Sequence, residues 1–487
     1  MENSELRSSD VLSGSGTRPL VVDLDGTLVQ SDLLAESVFA LLKRNIFFVL
    51  LLPFWLLKGK AHLKHQIAAR VDIDAGLLPY HRQFLDYLES EHANGRRLIL
   101  ATASNEKFAG AVALNLGIFH DVLASSDDVN LSGHRKLERL KELFGHEGFD
   151  YAGNAKVDLK LWKNTGTAIL VNPERGVKKA AERSCKVQQV FDNRSGSSLK
   201  RYLKALRVHQ WLKNALIFVP LLVAHRFTEP MLIGQALIAF LAFGLCASSV
   251  YLLNDLLDLP EDRQHPTKCN RPFAAGSISI MNGAKLIPCL LLVAFALALL
   301  LPIEFVATLL FYYSVTLAYS LRLKQVALID VLTLAGLYTI RIIAGAAAVS
   351  VTPSFWLLAF SMFLFLSLAL VKRFTELLKM QQRDQSKAPG RGYDTEDIET
   401  LSQFGSSSAY MAVLVLALYI NSDSVRELYT HPEVIWLLCP LLLYLVTRIW
   451  LLARRGMLDE DPVVFIIRDR RSQWLALIGA ILLWLAI

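Results

Sequence analysis

Two runs of oxygen- and nitrogen-bearing side chains interrupt a largely apolar chain of 487 residues. The first is Asp23-Leu-Asp25-Gly-Thr27, directly behind the apolar residues 19–22. A short β-branched run of buried-strand composition that breaks into two aspartates and a glycine is placed for chemistry, because ligands of open α/β sheets bind at the carboxyl ends of strands. The second, residues 254–276, reads NDLLDLPEDRQHPTKCNRPFAAG. Asn254, Asp258 and Asp262 recur every four residues, so a helix continuing through them stacks their side chains on one face. Such a cluster at the end of a membrane helix repels itself unless a hard cation joins it, and Mg²⁺ held by a few carboxylates plus substrate phosphates meets that need. His265, Lys268 and Arg271 follow and can bind phosphate oxygens beyond the metal's reach, Arg271 in bidentate fashion. The competing reading of this run is a solvated loop between two spans.

The second run resembles the first aspartate-rich motif of the UbiA prenyltransferase superfamily, membrane enzymes that use Mg²⁺ and isoprenoid substrates. Its continuation, HPTKCNRP, is closer to one branch, the polyprenyl-phosphate phosphoribosyltransferases that make decaprenylphosphoryl-phosphoribose. DLDGT resembles the first motif of the haloacid dehalogenase (HAD) superfamily, whose phosphatases attack phosphate monoesters with the first Asp. Its companions follow in order. Thr102, after the apolar residues 98–101, stands where that superfamily places a hydroxyl that holds the transferring phosphoryl group, with Ser104 as a competing candidate. Lys136 matches the lysine that neutralises nucleophile and phosphoryl charge. Tyr151-Ala-Gly-Asn154-Ala-Lys-Val-Asp158 resembles the fourth motif, whose acidic residues bind Mg²⁺. Here the sequence departs from the family, with GNxxxD for the commoner GDxxxD, and a neutral amide oxygen implies lower metal affinity. The resemblance implies Asp23 as nucleophile, Asp25 as general acid and then base, and one Mg²⁺ among Asp23, Asp25, Asn154 and Asp158. A HAD-like domain reduced to a scaffold is the alternative.

The elements that must position these residues give a multidomain fold class. A disordered N-terminus is expected over 1–18. An α/β HAD-like (Rossmannoid) domain follows over 19–190, with a helical cap about 32–90. Then come a linker and interfacial basic helix over 191–213, and an all-α, polytopic, UbiA-like membrane domain over 214–487. Residues 45–57, NIFFVLLLPFWLL, lie between Lys43, Arg44, Lys58 and Lys60. Too short to span a bilayer, they read as a cap that dips into the membrane interface or, equally, as a helix buried in the cap core. The membrane domain holds about nine apolar segments, near 214–227, 231–253, 284–301, 303–321, 326–349, 354–371, 408–421, 433–452 and 473–487. Nine is also the number of helices in the UbiA fold.

Composition agrees: 53% hydrophobic residues and a mean hydropathy of +0.37 exceed what an ordinary soluble protein carries. The five cysteines show no CxxC pair, which argues against a zinc site or disulfide framework. The net charge of +7 gathers beside apolar spans and reads as topology signal and anion binding, not as a nucleic-acid patch. Loops after the even-numbered segments carry Arg263, Lys268, Arg271, Arg322, Lys324, Lys379, Arg383, Lys387, Arg454 and Arg455, while the alternate loops carry little beyond Arg226 and Arg426. By the positive-inside bias, these loops and the HAD domain share the cytoplasmic side of the inner (plasma) membrane, with the C-terminus outside. Residues 1–19 lack an apolar core, so no cleavable signal peptide is expected.

The second half echoes the first. Tyr319, Lys324 and Asp330 follow the fourth segment as the Asn254 motif follows the second, but Leu334 stands where UbiA enzymes that bind prenyl diphosphates usually carry a second acid. The YxxxLK and DV arrangement resembles the phosphoribosyltransferase branch, as do Lys372-Arg373 with Glu376, and Arg391. Arg341, inside an apolar span, calls for an anionic partner or an ion pair with one of the clustered aspartates. The resemblance implies transfer of 5-phosphoribosyl from phosphoribosyl diphosphate (PRPP) to a polyprenyl phosphate. Asn254, Asp258, Asp262 and Asp330 would hold one or more Mg²⁺, and His265, Lys268, Arg271, Tyr319, Lys324, Arg341, Lys372 and Arg373 would bind substrate. The HAD domain would then remove the 5-phosphate. The alternatives are a prenyltransferase moving a chain from its diphosphate to an aromatic acceptor, and a non-catalytic membrane scaffold. The partners implied are these substrates and the bilayer, and self-association as a homo-oligomer is compatible with the sequence.

Overall fold

Leu20–Val22 is the central strand (β1) of a sheet whose other strands are Leu98–Asn105 (β2), Asp121–Ser125 (β3), Asp150–Gly153 (β4), Ala168–Val171 (β5) and Val187–Phe191 (β6). In this computed structural model the described residues are 18–486, apart from 128, 146–147, 194–196, 383–390, 423–424, 426–428 and 459–460. The expected disordered start, and Arg383, Lys387 and Arg426 among the loop cations, fall outside them, the start save for Arg18. All strand pairings are parallel, in the order β3-β2-β1-β4-β5-β6. Side chains alternate across the sheet: Leu20, Val22, Leu98 and Leu100 enter one core, while Val21, Ile99 and Ala101 enter the other. Burial on both faces is why β1 reads as an unbroken apolar run. Chain order reverses between β1 and β4, the switch point where such sheets open a crevice for ligand.

The expected cap is a helical insertion between β1 and β2: Leu33–Arg44, Leu52–Leu57, Lys60–Ala68 and Arg82–Ala93, with short 3₁₀ turns at Ile46–Leu50 and Ala75–Leu77. Asp32 starts the first helix by accepting the Ala35 N–H at 3.0 Å. The reading of 45–57 as a helix buried in the cap core does not hold. Neither Ile46–Leu50 nor Leu52–Leu57 contains a buried residue, and Phe47 and Leu57 are 70% and 84% exposed.

Among the described residues, seven helices are long and apolar enough to cross a membrane: Pro230–Leu257, Ile280–Ala298, Ile303–Leu321, Ile329–Ala348, Phe355–Gln381, Thr395–Ile420 and Pro432–Arg454. The count of nine is not confirmed. The first expected segment is broken into a 3₁₀ stretch, Val208–Phe218, and a five-residue helix, Val219–Val223, with Pro220 near its start. The last is the 17-residue helix Arg470–Ala486, which at about 1.5 Å per residue falls short of the roughly 30 Å hydrocarbon core. The segment expected at 408–421 instead reaches back to Thr395. Its serine-rich half carries small residues that let helices approach. A Cβ on Gly405 would meet the Trp450 ring at 2.0 Å, and the Gly405 carbonyl accepts from Ser367 Oγ, which in turn accepts from Trp450 Nε1.

The contacts divide the chain into two units that do not follow chain order. One comprises residues up to Leu206 together with Leu252–Leu286, and the other Arg207–Tyr251 with Ile287–Ile487. The loop that carries the Asn254 run thus belongs to the same unit as the sheet.

Candidate active sites

The carboxyl end of β1 delivers Asp23 to the crevice. Lys136, from the helix His134–Phe144, donates to Asp23 Oδ1 at 2.8 Å and sits 3.2 Å from the Tyr151 hydroxyl. On the other side of Asp23, the Thr27 hydroxyl lies 3.5 Å from Asp23 Oδ2 and 3.4 Å from Asn154 Oδ1. Gly26 makes this approach possible: it has φ +76°, and a Cβ there would fall 2.3 Å from Asn154 Nδ2. Asp25 points elsewhere. Its Oδ1 accepts the Leu33 N–H at 2.8 Å, and its Oδ2 accepts the Ser104 hydroxyl at 2.6 Å, with Thr102 Oγ1 at 3.4 Å. Both hydroxyl candidates therefore meet Asp25, and Ser104 makes the shorter bond. Burial, reinforced by the Asp32 and Asp23 charges, pushes the Asp25 carboxyl up to about 7.

Asp158 is inside this cluster but not turned outward. Its Oδ2 accepts the Asn154 and Ala155 N–H groups at 3.1 and 2.9 Å, and its Oδ1 accepts the Tyr151 hydroxyl at 3.1 Å. It orients the Asn154 loop, and burial together with Asp23 raises its pKa. Of the four expected metal donors, Asp23 Oδ2 and Asn154 Oδ1 flank one hydroxyl, while Asp25 and Asp158 are turned to other partners. An all-oxygen pair of this kind suits Mg²⁺.

In the aspartate-rich loop the helix Pro230–Leu257 breaks at Asp258 and resumes as Leu259–Gln264. The i to i+4 backbone bonds nevertheless run through the break, Asp258 N–H to Asn254 O and Asp262 N–H to Asp258 O, both 2.9 Å, so the four-residue helical spacing is kept along the backbone. Arg271 NH1 links Asp262 (2.6 Å) to Asp255 (3.1 Å), and both carboxylates are buried. Asp255 is a functional candidate that the four-residue spacing passed over, although its place beside Asn254 in the sequence marked it. Asp258 pairs with Lys43 at 3.1 Å, and Lys43 also meets Glu261 at 2.6 Å. Arg263 forms two bonds to Glu36, of 2.5 and 3.0 Å, with both side chains buried. His265 turns its Nδ1 to the N–H groups of Thr267 and Lys268 and so braces the turn; Lys268 starts the 3₁₀ turn Lys268–Asn270. Asp255 and Asp262 share Arg271 while Asp258 takes Lys43, and among the described residues no three His, Cys, Asp or Glu side chains are gathered closely enough to hold a metal ion.

The second unit holds a separate polar knot. Asp330, fully buried, accepts two bonds from the Arg373 guanidinium, through Nε and through NH2 (3.0 Å), and one from the Tyr319 hydroxyl at 2.7 Å. Arg373 also reaches Glu376 at 2.5 Å, and Arg391 Nε reaches the same carboxylate at 3.2 Å. Asp330, expected as a metal ligand, is here the partner of a guanidinium and a phenol. Lys372 joins instead a group the sequence reading missed. Asp461 receives Lys213 at 2.6 Å and Lys372 at 3.2 Å and caps the helix Pro462–Arg468. Burial would raise its carboxyl, but the two ammonium groups outweigh that and hold it well below the usual range. Its one sequence signal was an aspartate before a proline, the pattern of a helix start. Lys324 lies in the turn Leu323–Gln325.

Arg341 meets neither expectation, since neither an anion site nor a paired aspartate receives it. Its guanidinium donates to Asn214 Oδ1 (3.0 Å), the Leu337 carbonyl and the Tyr312 hydroxyl (3.2 Å), and lies over the rings of Phe243, Tyr312 and Tyr338. Neutral oxygens and π-faces share its charge, and it is buried.

Residues 215–486 match the UbiA prenyltransferase family, and residues 20–163 match haloacid dehalogenase-like hydrolases. The chain is 38% identical over 473 residues to the uncharacterized protein y4nM of Sinorhizobium fredii, covering 95% of this chain and 89% of that one. The nodulation protein NoeC of Azorhizobium caulinodans is 34% identical over 273 residues, 56% of this chain and 88% of its own length. The decaprenyl-phosphate phosphoribosyltransferase of Mycobacterium tuberculosis is 34% identical over 179 residues, which span 36% of this chain and 59% of that enzyme.

Proposed function

Because this chain belongs to the UbiA prenyltransferase family and carries a HAD-like domain ahead of the family's region, we propose that it is a two-step enzyme of a polyprenyl phosphate. The first step transfers 5-phosphoribosyl from PRPP to the lipid phosphate, and the second removes the 5-phosphate. It is a multi-pass membrane protein, and in this reading both steps face the cytoplasm at the inner membrane, with the C-terminus outside. The observation that carries the reading is the closed state of Asp330. Where a binder of prenyl diphosphates would present a second pair of acids, this chain has one carboxylate, already bonded to Arg373 and Tyr319, and Leu334. Similarity to a decaprenyl-phosphate phosphoribosyltransferase supports the same choice.

In the transfer step the nucleophile is already a phosphate anion, so the chain need supply little acid–base help. Asn254, Asp255, Asp258 and Asp262 would hold Mg²⁺, which supplies positive charge to the departing diphosphate when bound. Arg271 and Lys43, now on those carboxylates, are placed to follow the charge onto phosphate oxygens, and Lys268 lies in the same loop.

In the second step the Asp23 carboxylate attacks phosphorus, and the ribose oxygen leaves with the proton of Asp25. Water then attacks the aspartyl phosphate, gives a proton back to Asp25, and inorganic phosphate departs. A carboxyl raised to about 7 carries that proton near neutrality. Lys136 neutralises Asp23 and the transferring group, and the Thr102 and Ser104 hydroxyls aim Asp25. Asp23 and Asn154 would hold the Mg²⁺ of this site, which lends charge to the phosphoryl oxygens when bound.

The test is incubation of the full-length protein with PRPP, Mg²⁺ and a polyprenyl phosphate, with lipid products read by mass spectrometry. Wild type gives the ribosyl lipid without its 5-phosphate, and Asp23→Asn gives the lipid that keeps it. The same lipid from both proteins rules out the second step; no ribosyl lipid from either rules out the first.

A further inference from the structure

Beside the Asp23 cluster lies a cleft of about 440 Å³ that the phosphoryl chemistry does not use. It is lined by Lys58, Lys60, His62 and Arg135, with Asp127 and Asn130. Asp127 lies 3.6 Å from His62, and the described lining also carries three long cations, Lys58, Lys60 and Arg135. The cleft is joined to the reacting centre through one side chain. Lys64 donates to Asn130 Oδ1 at 2.8 Å and to the Ala103 carbonyl at 2.5 Å, and Ala103 stands between Thr102 and Ser104, the two hydroxyls on Asp25. Asp25, the acid for the leaving oxygen in the step proposed above, thus lies on the side of the reacting centre that Lys64 ties to this cleft.

A second observation points to the chemistry of that leaving group. The chain enters the cleft at Lys58 straight from the insertion's exposed apolar stretch, where Phe47, Leu50, Phe54 and Leu57 all face outward. Basic groups beside exposed hydrocarbon make a surface for a molecule that is anionic at one end and aliphatic at the other. We propose that this cleft binds a second phosphate, a phosphodiester, carried by the leaving group of the HAD substrate, whose hydrocarbon chain runs along the apolar stretch. The inference rests on the phosphatase step proposed above and narrows it: the site prefers an isoprenoid phosphodiester sugar phosphate to a free sugar phosphate.

The test compares two monoesters on the full-length protein, ribose 5-phosphate and farnesylphosphoryl-ribose 5-phosphate, by phosphate release. Lys60→Ala and Arg135→Ala each lower the ratio of kcat/KM for the farnesyl substrate over ribose 5-phosphate by about tenfold, the worth of one charge-assisted contact. Lys60→Arg restores most of that ratio. A ratio unchanged in both alanine variants overturns the proposal. If wild type cleaves neither ester, the phosphatase reading is what has failed, and the cleft is read separately by amine labelling of Lys60 with mass-spectrometric readout. Protection of Lys60 by farnesylphosphoryl ribose then supports the cleft as a phosphodiester site, and equal labelling with and without that lipid overturns it.

Discussion

Asp25 and Asp330 are carboxylates sheltered by their folds, and their neighbours differ in kind. Asp25 is met by a backbone N–H and two hydroxyls, with Asp23 and Asp32 close enough to oppose its ionisation. Asp330 is met by a guanidinium on two of its nitrogens and by a phenol. The first environment leaves a proton in play near neutral pH. The second fixes a charge pair whose parts hold each other. A buried acid with neutral donors and acidic neighbours is placed to move a proton, whereas one given its own arginine is placed to set the geometry of the helices that carry it. The aspartate-rich loop is intermediate: its carboxylates have cations, but Lys43 and Arg271 are partly exposed and can exchange them for substrate and metal.

This contrast can be broken at each point. The largest effect is expected at the intermediate site, where Asp258→Ala lowers ribosyl transfer by about 10²–10³-fold while the protein stays folded. A loss under threefold, measured as initial rate with PRPP and polyprenyl phosphate, would move the loop into the structural class. Next, Arg373→Ala strands Asp330 without its partner and costs about 3–5 kcal/mol, read by thermal unfolding in detergent. Replacing both, as Arg373→Met with Asp330→Asn, recovers most of it. Equal damage from the single and double variants would show that the pair is more than a geometric tie.

The smallest effect belongs to Asp25. Its carboxyl stands at about 7 in the folded chain against an ordinary 3.8, so the folded state binds the proton that the unfolded chain releases. Stability from this group is full below about pH 4 and is lost as pH rises through about 7. Asp25→Asn, which cannot ionise, should match wild type at acid pH and unfold a few degrees higher at pH 8. A constant difference across that range would place the Asp25 charge in water.

Much of this was legible from residues alone, for identifiable reasons. Asp23, Lys136 and Asn154 lie far apart in the chain but at strand ends and at a helix start, positions that an α/β pattern of apolar runs already brings together. What stayed hidden depends on which partner each charge finds. Asp461 was passed over because its two lysines lie 248 and 89 residues away. Arg341 looked like an anion binder because no sequence pattern announces an asparagine and three aromatic rings as its surroundings. Asp258 and Asp262 keep their helical spacing, but the place of Asp255 depends on Arg271 folding back over it. The count of spans is not confirmed at the first and last segments, where one proline or a helix of 17 residues decides the matter.

The Glu36–Arg263 pair also has a temporal side. The two residues are 227 positions apart, yet they close one buried contact within the unit that contains the sheet. During translation, at about 5–20 residues per second, the carboxylate waits on the order of 10–45 s for its arginine. In that interval the ribosome also makes the long apolar helix that precedes Arg263. The nascent phosphatase-like domain therefore completes its charge pairing only after membrane insertion has begun.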